Sequence, residues 1–207
     1  PPNTTVMLGT ATPGGGFPVY GDAVAATINA VDQSLDVKTQ NTKGSTENVP
    51  LLEAGRLDLA LVQGEVAYEV LSGIGRPPAD LRILAAMYGT PGMFVGRADS
   101  GCRTISDLRG RPAVFLDKAG DGPEMVIDGR VAALWGGGVG WPGFTAVANA
   151  PGGARFIAPD ADEIERIQGK HPFLKTLTIA TGSYPGQHAP ITSVGSWSFI
   201  LARPSLP

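Results

Sequence analysis

The sequence has 207 residues, of which 43% are hydrophobic and 17% charged, and its formal net charge is −3. This length suffices for one two-lobed domain or two small ones with a substantial core. The slightly negative charge and the lack of Lys and Arg clusters argue against a nucleic-acid partner. No apolar run approaches the ~18 residues that a membrane span needs. Because Cys102 is the single cysteine, an internal disulfide and a Cys-based metal site are both excluded.

The first half of the chain alternates strand-like and helix-like patterns. We predict, in chain order, a strand over 6–9, a helix over 18–31, a strand over 35–40, a helix over 45–54, a strand over 57–62, a helix over 65–71, and strands over 81–87 and 93–96. In the first helix, one apolar face is formed by Tyr20, Val24, Ile28 and Val31. This βαβαβα order predicts an α/β fold with a parallel sheet and helices on both faces.

A second unit is predicted from about residue 100. Its elements are a short helix over 104–108, a strand over 112–116, a helix over 124–128, a strand over 131–135, a helix over 142–148, a strand over 155–158, a helix over 160–169, and strands over 176–180 and 196–202. Asp160 and Glu163 are predicted to form a capping box. The stretch 184–192 is interpreted as irregular. One junction is unusual, because Val114 and Phe115 both belong to strand-like runs with no connecting helix. Either they form one strand or residues are absent between them.

A glycine-rich loop separates the first predicted strand from the first predicted helix. In α/β proteins this arrangement directs backbone N–H groups at an anionic or polar ligand. The loop lacks the Gly-Lys-Ser/Thr of a nucleotide P-loop. It also lacks the glycine spacing and acidic partner of a dinucleotide site. A ligand cradle and a simple tight turn both stay open. The candidate cradle residues are Gly9, Thr10, Thr12, Gly15, Gly16 and Phe17.

Polar residues also follow the next two predicted strands. Ser45 is predicted as a helix N-cap, with Asn48 three residues on, and plain capping explains Ser45 as well as ligand contact does. Gln63 ends a buried apolar strand, where parallel sheets bind ligands. Glu65 is interpreted as a first-turn residue of the next helix.

Four aromatic side chains are candidates for a ligand-binding cleft, with core packing as the alternative for each. They are Tyr20, Tyr88, Trp135 and Trp141. Trp141 is favoured among them because it follows a flexible glycine-rich turn.

Catalytic and metal chemistry find little support in the sequence. Neither His171 nor His188 has metal-ligand spacing to other donors. Ser183 lacks a nucleophile-elbow context. An acidic cluster comprises Asp117, Asp121 and Glu124, of which Glu124 has a simpler role in a first helical turn.

Four stretches occur in the order found in one known family. They are Gly9-Thr10-Ala11-Thr12 with Gly15-Gly16-Phe17 and Tyr20; Asn41-Thr42-Lys43-Gly44-Ser45-Thr46-Glu47-Asn48; Gly55-Arg56-Leu57-Asp58-Leu59-Ala60-Leu61-Val62-Gln63; and Asp107-Leu108-Arg109-Gly110-Arg111, preceded by Asp80-Leu81-Arg82 with Tyr88 and by residues 97–101. Together they resemble the TAXI proteins, the extracytoplasmic solute receptors of one class of TRAP transporter. The second half resembles the family less closely, at 128–133 and 138–142. The family's loop and helix between the equivalents of Val114 and Phe115 are missing.

The resemblance implies a bilobal, type II periplasmic-binding-protein-like fold with two mainly parallel sheets and an incomplete second lobe. Lobe 1 would comprise 1–98 and 195–207, lobe 2 would comprise 99–194, and hinges would lie near 98–103 and 182–195. The implied ligand-binding residues add Tyr20, Thr42, Gly44, Ser45, Asn48, Gln63, Tyr88 and Trp141 to the cradle.

The resemblance also implies a function. The chain would be a periplasmic solute-binding protein, with its signal peptide removed before Pro1, that delivers a small organic acid or amino acid to TRAP transporter membrane subunits. No cofactor, metal, nucleic-acid partner or enzymatic activity is implied. The alternatives are a transferase-like enzyme on the same fold, with the glycine loop binding phosphate, and a ligand-sensing module without transport.

Overall fold

Strands and helices alternate along residues 3–115 and 121–206, which the computed structural model describes. The strands are β1 (Thr4–Gly9), β2 (Leu35–Gln40), β3 (Leu59–Val62), β4 (Arg82–Arg97), β5 (Ala113–Phe115), β6 (Ala133–Gly137), β7 (Ala154–Ile157), β8 (Lys175–Ile179) and β9 (Ile191–Ala202). The helices are α1 (Gly16–Val31), α2 (Ser45–Glu53), α3 (Gly64–Ser72), α4 (Gly122–Ile127), α5 (Pro142–Asn149) and α6 (Ala161–Lys170). A 3₁₀ turn spans Ser106–Leu108.

The chain divides into two compact units. Unit 1 comprises Pro1–Tyr88 and Trp197–Pro207, and unit 2 comprises Gly89–Ser196. The chain passes between the units twice, within β4 and within β9. These passages lie at 88/89 and 196/197, whereas the sequence placed the hinges near 98–103 and 182–195.

The sheet of unit 1 is built around β1. This strand pairs in parallel with β2, from Thr4 opposite Leu35 to Gly9 opposite Gln40, and in parallel with β3 on its other side. β3 in turn pairs antiparallel with the final part of β9. All four residues of β3 are buried, as expected for a continuous apolar run in the middle of a covered sheet. The returning strand β9 makes this sheet mixed.

Helix α1 packs on this sheet through a face that differs in one position from the predicted one. Val24 and Ile28 pack against a core cluster that contains Leu8 and Leu61. Val31 was predicted to share this face but is 82% exposed. It is the last helical residue, and no neighbouring element covers it.

A partly buried ion pair fastens the last part of the chain to this sheet. Asp58 Oδ1 accepts a hydrogen bond from Arg203 Nε at 2.8 Å and forms an ion pair with Arg203 Nη2 at 2.7 Å. The other oxygen accepts from the Met7 N–H at 2.8 Å. Asp58 therefore links β1, the start of β3 and the residue after β9.

Replacing Asp58 by Asn should lower the free energy of unfolding by about 2 kcal/mol, because the guanidinium then loses its charged partner in a partly buried site. Denaturation by urea measures this loss. Asp36→Asn is the matched control, since Asp36 forms an exposed pair with Lys38 at 3.2 Å. The control should cost less than about 0.5 kcal/mol. Equal losses in the two variants would contradict this role of Asp58.

In unit 2, β4 pairs antiparallel with β6 over Gly92–Val95 and with β7 over Phe94–Arg97, and β5 runs parallel to β6. The prediction of two separate strands over 81–87 and 93–96 was wrong, because β4 is continuous from Arg82 to Arg97. Val114 and Phe115 are consecutive residues of β5, opposite Leu134 and Trp135. The predicted strand end at Leu116 lies outside the described residues.

The remaining elements of unit 2 follow local sequence signals. Asp160 caps α6 with the predicted capping box: its side chain accepts from the Glu163 N–H, and the Glu163 side chain accepts from the Asp160 N–H. β8 pairs antiparallel with the first part of β9, so the stretch predicted as irregular already enters a strand at Ile191. Over residues 3–115 and 121–206, none of the helices combines the length and the apolar character of a membrane span.

Candidate functional site

Three helices of unit 1 begin at the same edge of its sheet. β1, β2 and β3 are mutually parallel, and each is followed by a helix: α1, α2 and α3 respectively. The starts of these helices are joined by direct contacts. The Ser45 hydroxyl, on α2, accepts the Gln63 N–H at 2.9 Å, immediately before α3. The Asn48 side chain, one turn into α2, donates to the Thr10 carbonyl in the loop before α1 at 2.8 Å.

The first backbone N–H groups of these three helices are not capped by side chains. α1, α2 and α3 have Gly15, Gly44 and Gln63 as N-cap residues, and none of these makes a side-chain cap hydrogen bond. α6 contrasts with them, because Asp160 caps it fully. The first N–H groups of a helix have no carbonyl partner within it and carry the positive end of its dipole. Three such ends at one sheet edge form a site suited to a negatively charged group.

Thr10 and Asn48 are buried, and their side chains hold the loops together. Asn48 is fully buried, and its amide group donates to the carbonyls of Thr10 and Leu61, both at 2.8 Å. Its oxygen accepts from the Thr42 hydroxyl at 2.7 Å. Thr10 is also fully buried, and its hydroxyl donates to the Gln40 carbonyl at 3.1 Å. These side chains donate to backbone carbonyls at the ends of β1, β2 and β3 and so tie the three loops together.

The start of α2 differs from the prediction. Ser45 was predicted as the N-cap, but the N-cap is Gly44, and Ser45 is the first helical residue. Gly44 has φ +93°, a conformation that favours glycine. The Thr42 hydroxyl accepts the Gly44 N–H at 3.0 Å. Ser45 and Thr42 thus shape the loop, and the N–H groups that remain for a ligand belong to the first turn of α2, which includes Thr46. The sequence reasoning did not single out Thr46.

Close packing also constrains the strand end before the glycine loop. A Cβ atom added at Gly9 would lie 2.4 Å from Leu57 Cδ1 and 2.9 Å from Asn48 Oδ1. The glycine is therefore required for packing at this position. In the loop itself, the Thr12 carbonyl accepts the Gly15 N–H at 3.3 Å, which closes a turn before α1. Phe17 packs against the core of unit 1.

Two tyrosines stand beside the start of α1. The rings of Tyr20 and Tyr88 meet edge to face, with centroids 5.3 Å apart. A Cβ atom added at Gly16 would lie 3.4 Å from the Tyr88 hydroxyl, so this hydroxyl is next to the first residue of α1. Burial, followed by the nearby Tyr20, raises the pKa of Tyr88 to about 12. Tyr88 is therefore neutral at physiological pH and presents a phenol O–H group beside the helix.

An alkaline titration followed by tyrosinate absorbance should show Tyr88 ionising near pH 12 rather than at its ordinary value of 10. The native state holds this proton more tightly than the unfolded chain does. Its contribution to stability is therefore intact below pH 10 and is lost as the pH rises towards 12. In Tyr88→Phe, the absorbance step near pH 12 should shrink. If the step near pH 10 shrinks instead, the burial of this phenol is disproved.

Trp141 belongs to unit 2, where it packs rather than standing free. It is the N-cap residue of α5, and its ring lies 4.8 Å from that of Phe144. A Cβ atom added at Gly136 would lie 2.2 Å from the Trp141 ring. The backbone N–H of Trp141 donates to the Tyr184 hydroxyl at 3.4 Å. Trp135 packs edge to face on Phe94, with centroids 4.8 Å apart. Core packing accounts for both tryptophans.

Other reactive groups do not assemble into a site. Among residues 3–115 and 121–206, no three His, Cys, Asp or Glu side chains are grouped to hold a metal ion. Asp117, of the predicted acidic cluster, lies outside these residues. Cys102 is buried, and its thiol contacts the Asp107 carbonyl at 3.9 Å.

Comparisons with solved structures identify the fold. The substrate-binding protein of an amino acid ABC transporter is similar, with a TM-score of 0.59 and 10% identity over 97% of this chain and 86% of the other. The effector-binding domain of BenM, solved with its effector benzoate, is similar with a TM-score of 0.55 and 8% identity, over 99% of this chain and 86% of the other. Oxidised OxyR from Corynebacterium glutamicum is similar with a TM-score of 0.56 and 10% identity. The match covers 99% of this chain but only 59% of that protein. The predicted bilobal α/β fold of the type II periplasmic-binding class is thus confirmed, whereas the prediction of two mainly parallel sheets was wrong for unit 2, where β4 pairs antiparallel with β6 and β7.

At the level of sequence, no curated protein matches significantly. The model of the NMT1-like family matches residues 8–115, which is more than half of the chain. The matched region contains the end of β1, all of β2 and β3, and the starts of α1, α2 and α3. The glycine loop and the two loops beside it therefore lie inside the family's own pattern, and this chain belongs to the NMT1-like family.

Proposed function

We propose that this protein binds a small carboxylic acid, an organic acid or an amino acid, and delivers it to a TRAP-type membrane transporter outside the cytoplasm. The observation that carries the proposal is the set of three uncapped helix starts at one sheet edge. They offer N–H donors and positive dipole ends, and the loops that precede these helices contain no arginine. A carboxylate receives charge-assisted hydrogen bonds from such groups.

The environment beside α1 supports an organic rather than an inorganic ligand. Tyr20 and Tyr88 provide aromatic surface next to the Gly16 N–H. The neutral Tyr88 phenol supplies a further hydrogen-bond donor. The contacts proposed for the ligand are therefore backbone N–H groups of Gly16, Thr46 and Gly64, with the two tyrosines against its apolar part.

The similar structures agree with this ligand class. One is named as part of an amino acid transporter, and another was solved with benzoate, so both names point to carboxylates. In our proposal the two units close on the ligand, with hinges where the chain passes between them within β4 and within β9, and closure excludes water so that buried polar groups pair with ligand atoms. The TRAP transporter as partner rests on the resemblance of the loops to TAXI proteins.

A calorimetric screen of amino acids and mono- and dicarboxylates tests the binding function. Scattering measurements with and without the bound acid test closure. We expect binding of at least one small acid and a smaller radius of gyration when it is bound. Failure of every acid to bind would overturn the proposal.

Gly16 allows one donor to be removed selectively. Gly16→Pro deletes the N–H at the first helical position, where proline is well tolerated and where the preceding Gly15 is already extended. We expect affinity for the acid to fall about tenfold, the loss of one charge-assisted hydrogen bond. Gly16→Ala is the matched control, because it adds a Cβ but keeps the N–H. It should change affinity less than about twofold. Equal effects of the two variants would show that this N–H does not contact the ligand.

A ligand-sensing module is the second candidate, favoured by the similarity to the regulatory domains of OxyR and to BenM. Structures of OxyR are named as oxidised and reduced forms. An internal disulfide cannot form within these 207 residues, which contain one cysteine. Sensing would therefore depend on ligand binding at the same helix starts. The genes that neighbour this one distinguish the two candidates, since a transport receptor is expected beside genes for membrane subunits.

A further inference from the structure

Unit 2 contains a cavity of about 490 Å³ at the edge of its sheet where β4 ends and where β5 and β6 begin. α4 and α5 begin at the opposite, carboxyl edge of β5 and β6. The volume is within the range of small-molecule sites, ~300–1,000 Å³. The cavity is lined by Arg97, Asp99, Ser100, Arg111, Pro112, Gly129, Arg130, Val131 and Ala132.

Three separate segments bring these residues together. The Ala132 N–H donates to the Pro112 carbonyl at 2.8 Å, which joins the residues before β6 and β5. A Cβ atom added at Gly96, near the end of β4, would lie 2.8 Å from the Ala132 carbonyl oxygen. Each segment contributes one arginine to the cavity: Arg97, Arg111 and Arg130. Since they are far apart in the sequence, their grouping follows only from the sheet pairing.

Carboxylates already engage two of the three guanidinium groups. Among the described lining residues Asp99 is the one carboxylate, and it accepts two hydrogen bonds from Arg97, Nε–Oδ1 at 2.8 Å and Nη2–Oδ2 at 2.6 Å. Arg130 Nε donates to Asp128 at 2.8 Å, and Arg130 Nη1 lies 3.9 Å from Asp121. Arg111 is exposed and has no carboxylate within 4 Å among the described residues, and its charge adds to the backbone hydrogen bonds from Arg103 and Thr104 that lower the pKa of Asp107.

Glycine gives one of the guanidinium groups room in this cavity. Gly129 has φ +80°, and a Cβ atom there would lie 3.3 Å from Arg97 Nη1. Arg97 Nη1 therefore approaches a backbone without a side chain, while its other two nitrogens hold Asp99. Arg97 is thus held in place, and Arg111 remains for an external anion.

We propose that this cavity binds a small organic phosphate. Guanidinium groups bind phosphate oxygens through paired N–H donors. Arg111 is the guanidinium group left for the phosphate oxygens, and Arg97 Nη1, whose other two nitrogens hold Asp99, adds a second donor at the cavity. A tetrahedral anion has enough acceptor oxygens to use donors from both groups. The cavity is larger than a phosphate ion, and Pro112, Val131 and Ala132 provide apolar surface for an organic remainder. This site is independent of the carboxylate site proposed for unit 1.

The test is a ¹⁵N NMR titration of the whole chain with glycerol 3-phosphate, inorganic phosphate and glycerol. We expect shifts of the Arg111 and Arg130 side-chain Nε signals and of the amides of residues 129–132 with both phosphates and none with glycerol. Glycerol 3-phosphate should bind more tightly than inorganic phosphate, because its organic part adds contacts. Equal affinities would restrict the site to a free anion and overturn the organic-phosphate proposal.

Variants separate a built site from general attraction between charges. Arg111→Gln should weaken glycerol 3-phosphate binding about tenfold, and Arg111→Lys, which keeps the charge but loses the paired donors, by about threefold. Arg109→Gln is the matched control, since Arg109 is exposed two residues away and does not line the cavity. It should leave binding unchanged. Equal weakening by Arg109→Gln and Arg111→Gln, or phosphate-induced shifts confined to the helix starts of unit 1, would overturn the proposal. So would binding of an acidic peptide but not of glycerol 3-phosphate.

Discussion

Replacing Asn48 by Leu is expected to lower the free energy of unfolding by about 4 kcal/mol, one of the largest losses for a single side chain of this protein. Leucine has a similar volume but cannot donate to the carbonyls of Thr10 and Leu61, which the amide group contacts at 2.8 Å each. Both carbonyls would be left buried without these partners, at about 1–3 kcal/mol each. The Thr42 hydroxyl would also lose the nearer of its two acceptors, since the Thr10 carbonyl lies at 3.2 Å and the Asn48 oxygen at 2.7 Å.

Urea denaturation of wild type and variant measures this effect, with circular dichroism as the signal. The matched control is Asn149→Ala, since Asn149 is exposed at the end of α5. The control should change stability by less than about 0.5 kcal/mol. A loss below about 1 kcal/mol for Asn48→Leu would mean that these hydrogen bonds do not brace the three loops.

Gly195→Ala should also be strongly destabilising, by about 3 kcal/mol. A Cβ atom at Gly195 would lie 2.0 Å from the Thr90 carbonyl oxygen and 2.9 Å from Pro91 Cα. Both of these are backbone atoms and cannot rotate away, so one of the two strands β4 and β9 must shift. The two strands approach each other here within unit 2, shortly before β9 passes into unit 1 at Trp197.

Thermal or urea unfolding tests this prediction against Gly169→Ala. Gly169 lies in α6, and an added Cβ atom there would have nothing within 4 Å. Alanine is the better helix former, so this control should gain about 0.5–1 kcal/mol. Should Gly195→Ala prove as stable as wild type, the close approach of β4 and β9 at this point would be wrong.

Local signals in the sequence were sufficient for much of the fold. The bounds of β2 were predicted without error, because Leu35–Gln40 alternates and is flanked by turn residues. The capping box of Asp160 and Glu163 was found for the same reason, since it depends on residues three apart. Long-range pairing explains the main error. Two strands were predicted over 81–87 and 93–96, but β4 runs unbroken from Arg82 to Arg97, and its second half pairs with β6 and β7, which are distant in the sequence, so tertiary context outweighs local propensity.

The candidate site shows the same division. The sequence indicated which loops gather at the edge of the sheet, because each follows a predicted parallel strand. It did not show what the side chains do there, because Asn48 and Thr10 bond to carbonyls that are distant in the chain. The arginine-lined cavity in unit 2 had no sequence signal, since its three arginines meet only through the pairing of β4, β5 and β6.

Backbone amide shifts on ligand binding test the central claim most directly. The whole chain, labelled with ¹⁵N, is titrated with an acid identified in the calorimetric screen. The account predicts that the largest shifts occur at the N–H groups of Gly16, Thr46 and Gly64, at the starts of α1, α2 and α3. If the acid binds but the amide signals of Gly16, Thr46 and Gly64 do not move, the three helix starts are not the binding site.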